Sequence, residues 1–559
     1  MESLLPIGGY GMARIVLTAD RALFTDFSGL DALGFGLCLP LRLVPALVEY
    51  RIIAPPVPTR NGRAVFAPYA LAKVEASLLA AGFKREEVVI VPPERINKAV
   101  GRDTELVGVH VVDPQGLAPV SWTLRVMTGG GKTCTAYEFE RLMARIMKLK
   151  KKYGFKVVVG GPGVWQLRGL LDKFGIDVLY EGEAEEDFPR LAKSLLSGEK
   201  APRIVVGRPV PPEKIPAIVT PSRSGHVQVT RGCPRGCQFC KPTTFIFRSI
   251  PLDTILREAE LNARAGAREI SFVTEDILLY GAKGLKLDSE AVKKLFSETL
   301  KVVKPYGVNR LSFSHVTLSS VLVAKDAVEY IAEVNGLSED NPLFPQVGFE
   351  SGSPRIVEKY FRGKPYPWGP EDWPWIVVEG SKLLNEYYLY PCLTYIIGFP
   401  DATPDDYVKT TELIDKLREE RIKGWIFPLL LVPIGGTRVE GRVGFKTIAE
   451  LPEEAIESII AGWEHSIEFS KYIYPVLLRS IKYTWTRRIV SLLIDRALNA
   501  MREWIDALKK NPAAVEEFSS INIRSPYGIL LTLLKAMASR QRREKEAVKV
   551  YVKRNSRMA

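Results

Sequence analysis

The chain has little cysteine for its length. Six cysteines in 559 residues cannot build a disulfide framework, and three of them fall within eight positions. That pattern belongs to metal ligation in a reducing compartment. Long apolar runs are missing as well. The most apolar stretch, residues 425–436 (WIFPLLLVPIGG), is short and broken by proline, so no transmembrane helix is expected. Glu2 and two early glycines stand where a signal peptide would carry a basic region and an apolar run, which makes the cytoplasm the expected location. Glutamine is scarce, with six residues among many Lys, Arg and Glu, a bias that points to a thermophilic source. Neither an internal repeat nor a low-complexity segment occurs.

What is present is the balance of a soluble globular chain, 46% hydrophobic and 25% charged, long enough for roughly three or four domains. The net charge is +13, but +7 of it lies from Lys535 onward. Such a tail is either a solvated basic extension or one that meets phosphates or lipid headgroups. A membrane surface is therefore a candidate partner, and nucleic acid is not an expected one.

The first 200 or so residues alternate strands with helices. Apolar runs at Arg14–Ala19, Val88–Val91, Leu106–Val112, Val157–Val159 and Val178–Tyr180 read as buried strands. Helical stripes cover Ala67–Phe83 and about Tyr137–Lys152, the latter ending in lysines that suit the negative pole of its dipole. The expected fold of residues 1–200 is a doubly wound, Rossmann-like sheet with its ligand crevice at the carboxyl ends of the strands. A proline-rich linker is expected at 201–225. A second α/β series, with strands near Ile270–Val273, Leu311–Phe313, Val347–Phe349, Leu393–Ile397 and Trp425–Val432, implies a partial or full parallel barrel over 226–446. Residues 447–559 read as a helical region ending in the basic tail.

The chemistry concentrates in Val229–Arg248, VTRGCPRGCQFCKPTTFIFR. Cys233, Cys237 and Cys240 form a Cys-x3-Cys-x2-Cys array just after a strand. Thiolates are natural ligands of iron–sulfur clusters, and three ligands for four irons leave one iron open. An open position distinguishes a reactive site from a closed one. A ferredoxin-type cluster would need a fourth cysteine, where Lys241 and Pro242 follow instead. A structural zinc would also need a fourth ligand, for which His226 is the candidate close in sequence.

This array, with the aromatic Phe239 before its last cysteine, resembles the signature of the radical S-adenosylmethionine (SAM) superfamily. The resemblance implies that Cys233, Cys237 and Cys240 hold a 4Fe–4S cluster, that SAM chelates the open iron, and that one electron yields a 5′-deoxyadenosyl radical. An electron donor such as ferredoxin or flavodoxin is implied with it. Four later segments resemble the family's strand ends. Phe272–Asp276 brings Glu275 and Asp276, and Leu311–Val316 brings Ser314 and His315. Gly348–Ser353 brings Glu350 and Ser351, and Tyr395–Pro400 brings Gly398. On that resemblance Glu275, Asp276 and His315 are the expected catalytic groups. Phe239, Ser314, Glu350, Ser351 and Gly398 are expected to line the cofactor. Each has a plainer reading: Glu350 as a capping partner, Glu275 or Asp276 as a surface carboxylate, His315 as a satisfied barrel histidine. One departure stands out. Family members commonly continue the fifth strand as Gly-Leu-Pro-Gly-Glu-Thr, and residues 398–403 read GFPDAT.

Residues 157–163 (VVVGGPG) and 180–185 (YEGEAE) resemble radical enzymes with an N-terminal cobalamin-binding domain. That resemblance makes Gly160, Gly161, Gly182 and Glu183 expected cofactor contacts, although Glu183 and Glu185 also suit a helix start by the dipole alone. The motif Asp-x-His-x-x-Gly is absent, so cobalamin would lack that axial imidazole. Gly129–Thr133 is similar to a phosphate-binding loop, but Val126 occupies the place of its first glycine. The leading expectation is cobalamin-dependent methyl transfer to an unactivated carbon of a small molecule, lipid or peptide. Alternatives are radical carbon–carbon bond formation or ring closure, for example on an archaeal lipid, and a non-catalytic metal protein that binds nucleic acid. RNA methylthiolation is disfavoured, because enzymes of that type carry three further N-terminal cysteines and only Cys38 and Cys134 precede the array here.

Overall fold

The structure is a computed structural model. It describes residues 13–29, 31–441, 444–479, 484–512, 519–525, 527–528 and 530–531. The basic tail from Lys535 lies outside the described residues.

Six parallel strands form the N-terminal sheet: β1 (Ile15–Ala19), β2 (Val88–Ile90), β3 (Leu106–His110), β4 (Lys156–Gly160), β5 (Val178–Gly182) and β6 (Ile204–Gly207). Their order is β2-β1-β3-β4-β5-β6. All five residues of β1 are buried, as a strand covered on both faces requires. The covering helices are α1 (Tyr69–Ala80), α2 (Pro119–Met127), α3 (Cys134–Tyr153) and α4 (Asp187–Leu196). Helix α3 starts where the Thr133 hydroxyl accepts the Ala136 N–H at 3.2 Å and stops at Gly154 in the left-handed region. The strand order reverses at β1 and β3, so the crevice opens beyond Ala19 and His110, which are paired in register.

Strand β6 corrects the expected linker, whose first residues belong to the sheet. Ile204–Gly207 pairs with β5 from Leu179 to Gly182. Its exposed outer edge and flanking prolines hide an ordinary strand pattern.

Gly161 follows β4 at φ +121°, and a Cβ there would lie 2.3 Å from the Val111 carbonyl and 2.6 Å from the His110 ring. Gly161→Ala is expected to cost more than about 2 kcal/mol, read as a lower urea midpoint.

The second domain is a partial barrel, the narrower of the two expected forms. Its parallel strands are β7 (His226–Gln228), β10 (Ile270–Val273), β11 (Leu311–Phe313), β12 (Gln346–Glu350), β13 (Cys392–Ile397) and β14 (Trp425–Leu430). β8 (Thr230–Arg231) and β9 (Arg248–Ser249) form a small antiparallel ribbon at its mouth. Two three-stranded sheets, β11-β10-β7 and β12-β13-β14, meet through a parallel bridge between His315 and Gln346. Helices α5 (Leu252–Arg264), α6 (Ser289–Val303), α7 (Lys325–Val334), α8 (Pro354–Tyr360), α9 (Trp373–Glu386) and α10 (Pro404–Glu419) connect them. Among the described residues β14 pairs with no strand on its outer side.

That edge is covered by side chains from both flanking regions. Ser466, on α11 (Glu453–Arg479), accepts the Ile426 N–H at 2.9 Å and donates to the Ile426 carbonyl at 2.7 Å. Thr123, on α2, accepts the Leu430 N–H at 2.8 Å. The nearby Trp122 indole donates to the Phe445 carbonyl at 3.1 Å. A last helix, α12 (Thr484–Lys510), packs on α11. No described helix is long and apolar enough to cross a membrane.

His465 is buried on α11, and its Nε2 meets the Gly424 carbonyl at 3.0 Å. Burial holds its imidazole down at about 4, against an ordinary 6.5. The unfolded chain therefore takes up this proton first. Stability is full above the ordinary value and falls as the pH drops from 6.5 towards 4, by up to about 3 kcal/mol. Urea titrations across that window measure the slope, and His465→Gln flattens it.

Candidate functional site: a three-thiol cradle at the barrel mouth

The cradle is one loop closed by the β8–β9 ribbon, in which Arg231 lies opposite Arg248. It turns at Gly232, where φ is +79° and a Cβ would lie 2.7 Å from the carbonyls of Phe245 and Ile246. The Cys233 N–H donates to the Pro242 carbonyl at 3.2 Å. The Thr243 hydroxyl donates to the carbonyls of Cys237 and Cys240 at 3.0 and 2.8 Å. Phe239 packs edge-on against Phe361 and Phe399 at 6.2 and 5.6 Å, so it walls the cradle with aromatic surface.

All three thiols are pushed upward, Cys237 to about 12, by burial first. A buried thiol of this kind gives up its proton to a metal rather than to water. Among the described residues, no three His, Cys, Asp or Glu side chains converge as ligands of a single metal ion. A cubane makes no such demand, because each thiolate binds its own iron. The donor set therefore fits a three-cysteine cluster with one iron left open.

Beneath the loop lies a buried ion pair. Arg235, between the first two cysteines, donates to Asp276 Oδ2 at 3.0 Å and to the Ser320 hydroxyl at 2.6 Å. Its other amino group reaches the carbonyls of Gly363 and Lys364 at 3.2 and 3.0 Å. Asp276 Oδ1 accepts the Leu278 N–H at 3.1 Å. Both oxygens of Asp276 thus bond within the fold. His315 is bonded within the fold as well. Its Nδ1 meets the Thr274 carbonyl at 3.1 Å, and burial lowers its pKa, so it is the neutral, satisfied barrel histidine. Ser314 clamps the same strand end, accepting the Thr274 N–H at 3.0 Å and donating to its carbonyl at 2.7 Å.

Glu275 is different. Burial pushes its carboxyl up to about 7, and it lies close enough to Cys233 and Cys240 to act on both. Glu350 is buried in the mouth and forms an ion pair with Lys364. It does not cap α8, whose N-cap is Ser353. Ser351 accepts the Ser353 N–H at 3.1 Å in the turn that leads into that helix. Gly398 ends β13 at φ +97° against the Phe445 ring. The departure at 398–403 is absorbed locally. Asp401 accepts the Tyr360 hydroxyl at 2.6 Å and pairs with Lys359, and Thr403 with Asp406 forms the capping box of α10.

The N-terminal candidates serve contacts within the protein. Gly160 approaches the Tyr180 carbonyl, Gly161 packs as described, and a Cβ on Gly182 would lie 2.4 Å from the Gly207 carbonyl. Glu183 pairs with Arg231 at 2.9 Å and with Arg248, while Glu185 pairs with Arg231 at 2.8 Å. Both lie just ahead of α4, which starts at Asp187, as the helix-start account expected, and both also form ion pairs across to the ribbon. Their physical role is to tie the carboxyl edge of the sheet to the ribbon that closes the cysteine loop. Lys364 and Arg235 escaped the sequence reading: Arg235 stood unremarked between the first two cysteines, and Lys364 lies outside every motif.

The sequence profile of the radical SAM superfamily matches residues 227–414. Curated relatives include tRNA-2-methylthio-N(6)-dimethylallyladenosine synthases. That of Thermotoga petrophila is 26% identical over 282 residues, 50% of this chain and 60% of that one. That of Thermus thermophilus is 25% identical over 336 residues, 59% and 65% of the two chains. The chain therefore spans less than two thirds of the length of these relatives. Among solved structures, the radical SAM methyltransferase TsrM from Kitasatospora setae, with cobalamin and a [4Fe-4S] cluster bound, aligns over 77% of each chain with a TM-score of 0.50 and 17% identity. Its complex with tryptophan substrate and a SAM analogue gives a TM-score of 0.51 at 16% identity, over 77% of this chain and 75% of that one. At such identities the likeness is one of fold. Cysteine loop, parallel partial barrel and profile match coincide on one stretch of chain, and that stretch is a radical SAM domain.

Proposed function

We propose that this protein is a radical SAM enzyme that methylates an unactivated carbon, with cobalamin housed where the N-terminal sheet faces the barrel mouth. The observation that carries the reading is the bridge from Glu183 and Glu185 to Arg231 and Arg248. It sets the carboxyl edge of a doubly wound sheet against the loop that holds the three thiols. When bound, the cluster with SAM supplies a carbon radical capable of hydrogen abstraction, and cobalamin supplies methyl-group transfer.

The chain's own residues prepare the site. Cys233, Cys237 and Cys240 would hold the cluster through three of its irons, leaving the fourth open to the cofactor. Arg235 and Thr243 fix the loop, and Phe239, Phe361 and Phe399 exclude water beside it. Glu275, at about 7, can hold or release a proton at its carboxyl near neutrality. His110 ends β3 with its ring against Gly161, and burial, then Arg223, holds its imidazole at about 4, so it is neutral at the sheet's carboxyl edge. A low-potential carrier such as ferredoxin or flavodoxin would supply the electron.

The curated relatives are named for tRNA methylthiolation, a reaction that calls for a second cluster. The two cysteines ahead of the loop do not reach three. Cys38 and Cys134 sit together, with the Cys134 N–H donating to the Leu39 carbonyl at 3.1 Å.

The test is anaerobic reconstitution with iron, sulfide and cobalamin, followed by incubation with SAM and a reductant and product analysis. Formation of 5′-deoxyadenosine together with S-adenosylhomocysteine supports methyl transfer. Formation of 5′-deoxyadenosine alone, with no cobalamin absorbance, overturns it in favour of another radical reaction such as carbon–carbon bond formation.

A further inference from the structure

Lys364 is a buried lysine in the barrel mouth, 8% exposed. It is placed there by the cysteine loop itself. Arg235 holds the carbonyls of Gly363 and Lys364 at 3.2 and 3.0 Å, and the Ser319 hydroxyl adds a third bond to the Lys364 carbonyl at 2.6 Å. The approach is close enough that a Cβ on Gly363 would lie 2.2 Å from the Arg235 carbonyl. One step along, the Gln238 N–H donates to the Tyr360 carbonyl at 2.8 Å. Residues 360–364 and the loop thus form one rigid unit.

The side chain turns inward to Glu350, and the backbone there is unusual. Glu350 has φ +63° and follows a register shift between Gly348 and Glu350. Its carboxylate folds back over its own strand: a Cβ on Gly348 would lie 2.0 Å from Glu350 Oε1 and 2.8 Å from Lys364 Nζ. A left-handed conformation at a residue other than glycine is strained. Here the strain serves to hold one ammonium. That ammonium has three donors, and Glu350 takes one. The other ionisable groups it faces are Cys237, Cys240 and His315.

We propose that Lys364 is a positioning residue for the cluster, a fixed positive charge whose field raises the cluster's reduction potential, with Glu350 holding it in place and partly offsetting it. Reduction adds one electron to a buried, already anionic assembly and breaks no bond. A cation fixed beside the thiolates stabilises that added charge in a medium of low dielectric. The inference rests on the cluster reading of Cys233, Cys237 and Cys240, so iron and sulfide are measured first.

The experiment is an EPR-monitored potentiometric titration of the anaerobically reconstituted full chain, with iron and sulfide analysis and SAM binding in parallel. Lys364→Met is expected to keep its iron while its reduced-to-oxidised ratio at a fixed potential falls about tenfold, a negative shift of about 59 mV for one electron. Lys364→Arg keeps the wild-type potential, and Glu350→Gln moves it in the positive direction. Full iron with an unmoved potential in Lys364→Met overturns the proposal. So does an unmoved potential with weakened SAM binding, which would assign the ammonium to the cofactor's carboxylate. If Lys364→Met does not assemble, Glu350→Gln decides, and an unmoved potential there overturns the proposal equally. Wild-type protein without iron and sulfide would instead overturn the cluster reading itself.

Discussion

Replacing Cys237 with alanine is expected to remove the cluster outright. Iron and acid-labile sulfide fall from about four of each per chain to background, and 5′-deoxyadenosine formation falls with them. The expectation follows from the donor count. With three thiolates and no spare among the described residues near the loop, losing one leaves two irons without a protein ligand. Cys233→Ala and Cys240→Ala are expected to behave alike. The control is Cys392→Ala at the start of β13, a half-buried thiol outside the loop, which keeps its iron. Retention of a full cluster in Cys237→Ala would sink the assignment.

The second large effect is on folding. Arg235→Leu strips Asp276, which is fully buried, of its cation. Breaking a buried pair by removing one partner costs about 3–5 kcal/mol, because the remaining charge stays unpaired in a poorly polarisable site. The Ser320 hydroxyl and the carbonyls of Gly363 and Lys364 lose a donor as well. Arg235→Leu is therefore expected to show a much lower urea midpoint, with the mouth of the barrel loosened first. Arg235→Leu combined with Asp276→Leu recovers most of the loss, since no lone charge is left behind. A double variant as unstable as the single one would show that the pair contributes little and the lost carbonyl contacts dominate.

The strands and most helices were legible because their signals are local. Buried β1 and β3 are continuous apolar runs, and α3 announces itself by an apolar stripe between a threonine cap and a glycine. The cysteine array is legible for the same reason, since its three ligands lie in one loop. Whatever depends on a distant partner was hidden. Asp276 and Arg235 are 41 residues apart, and a carboxylate at a strand end looks the same in sequence whether it faces a substrate or a buried guanidinium. Glu183 and Glu185 precede a helix, and only the fold brings in Arg231 and Arg248. Lys364 carries no pattern at all; its position follows from the carbonyls that Arg235 grips.

The covered edge of β14 has a consequence for how the chain can be divided. A bare strand edge is a template on which another chain can add. Here the hydroxyls of Ser466 and Thr123, from regions on opposite sides of the barrel in sequence, occupy its hydrogen-bonding positions. A barrel excised at its apparent boundaries would lose both and expose a sticky margin. Both flanking regions are therefore part of what closes the barrel, and a division of the chain at the barrel's limits would uncover the Ile426 and Leu430 edge groups that they now occupy.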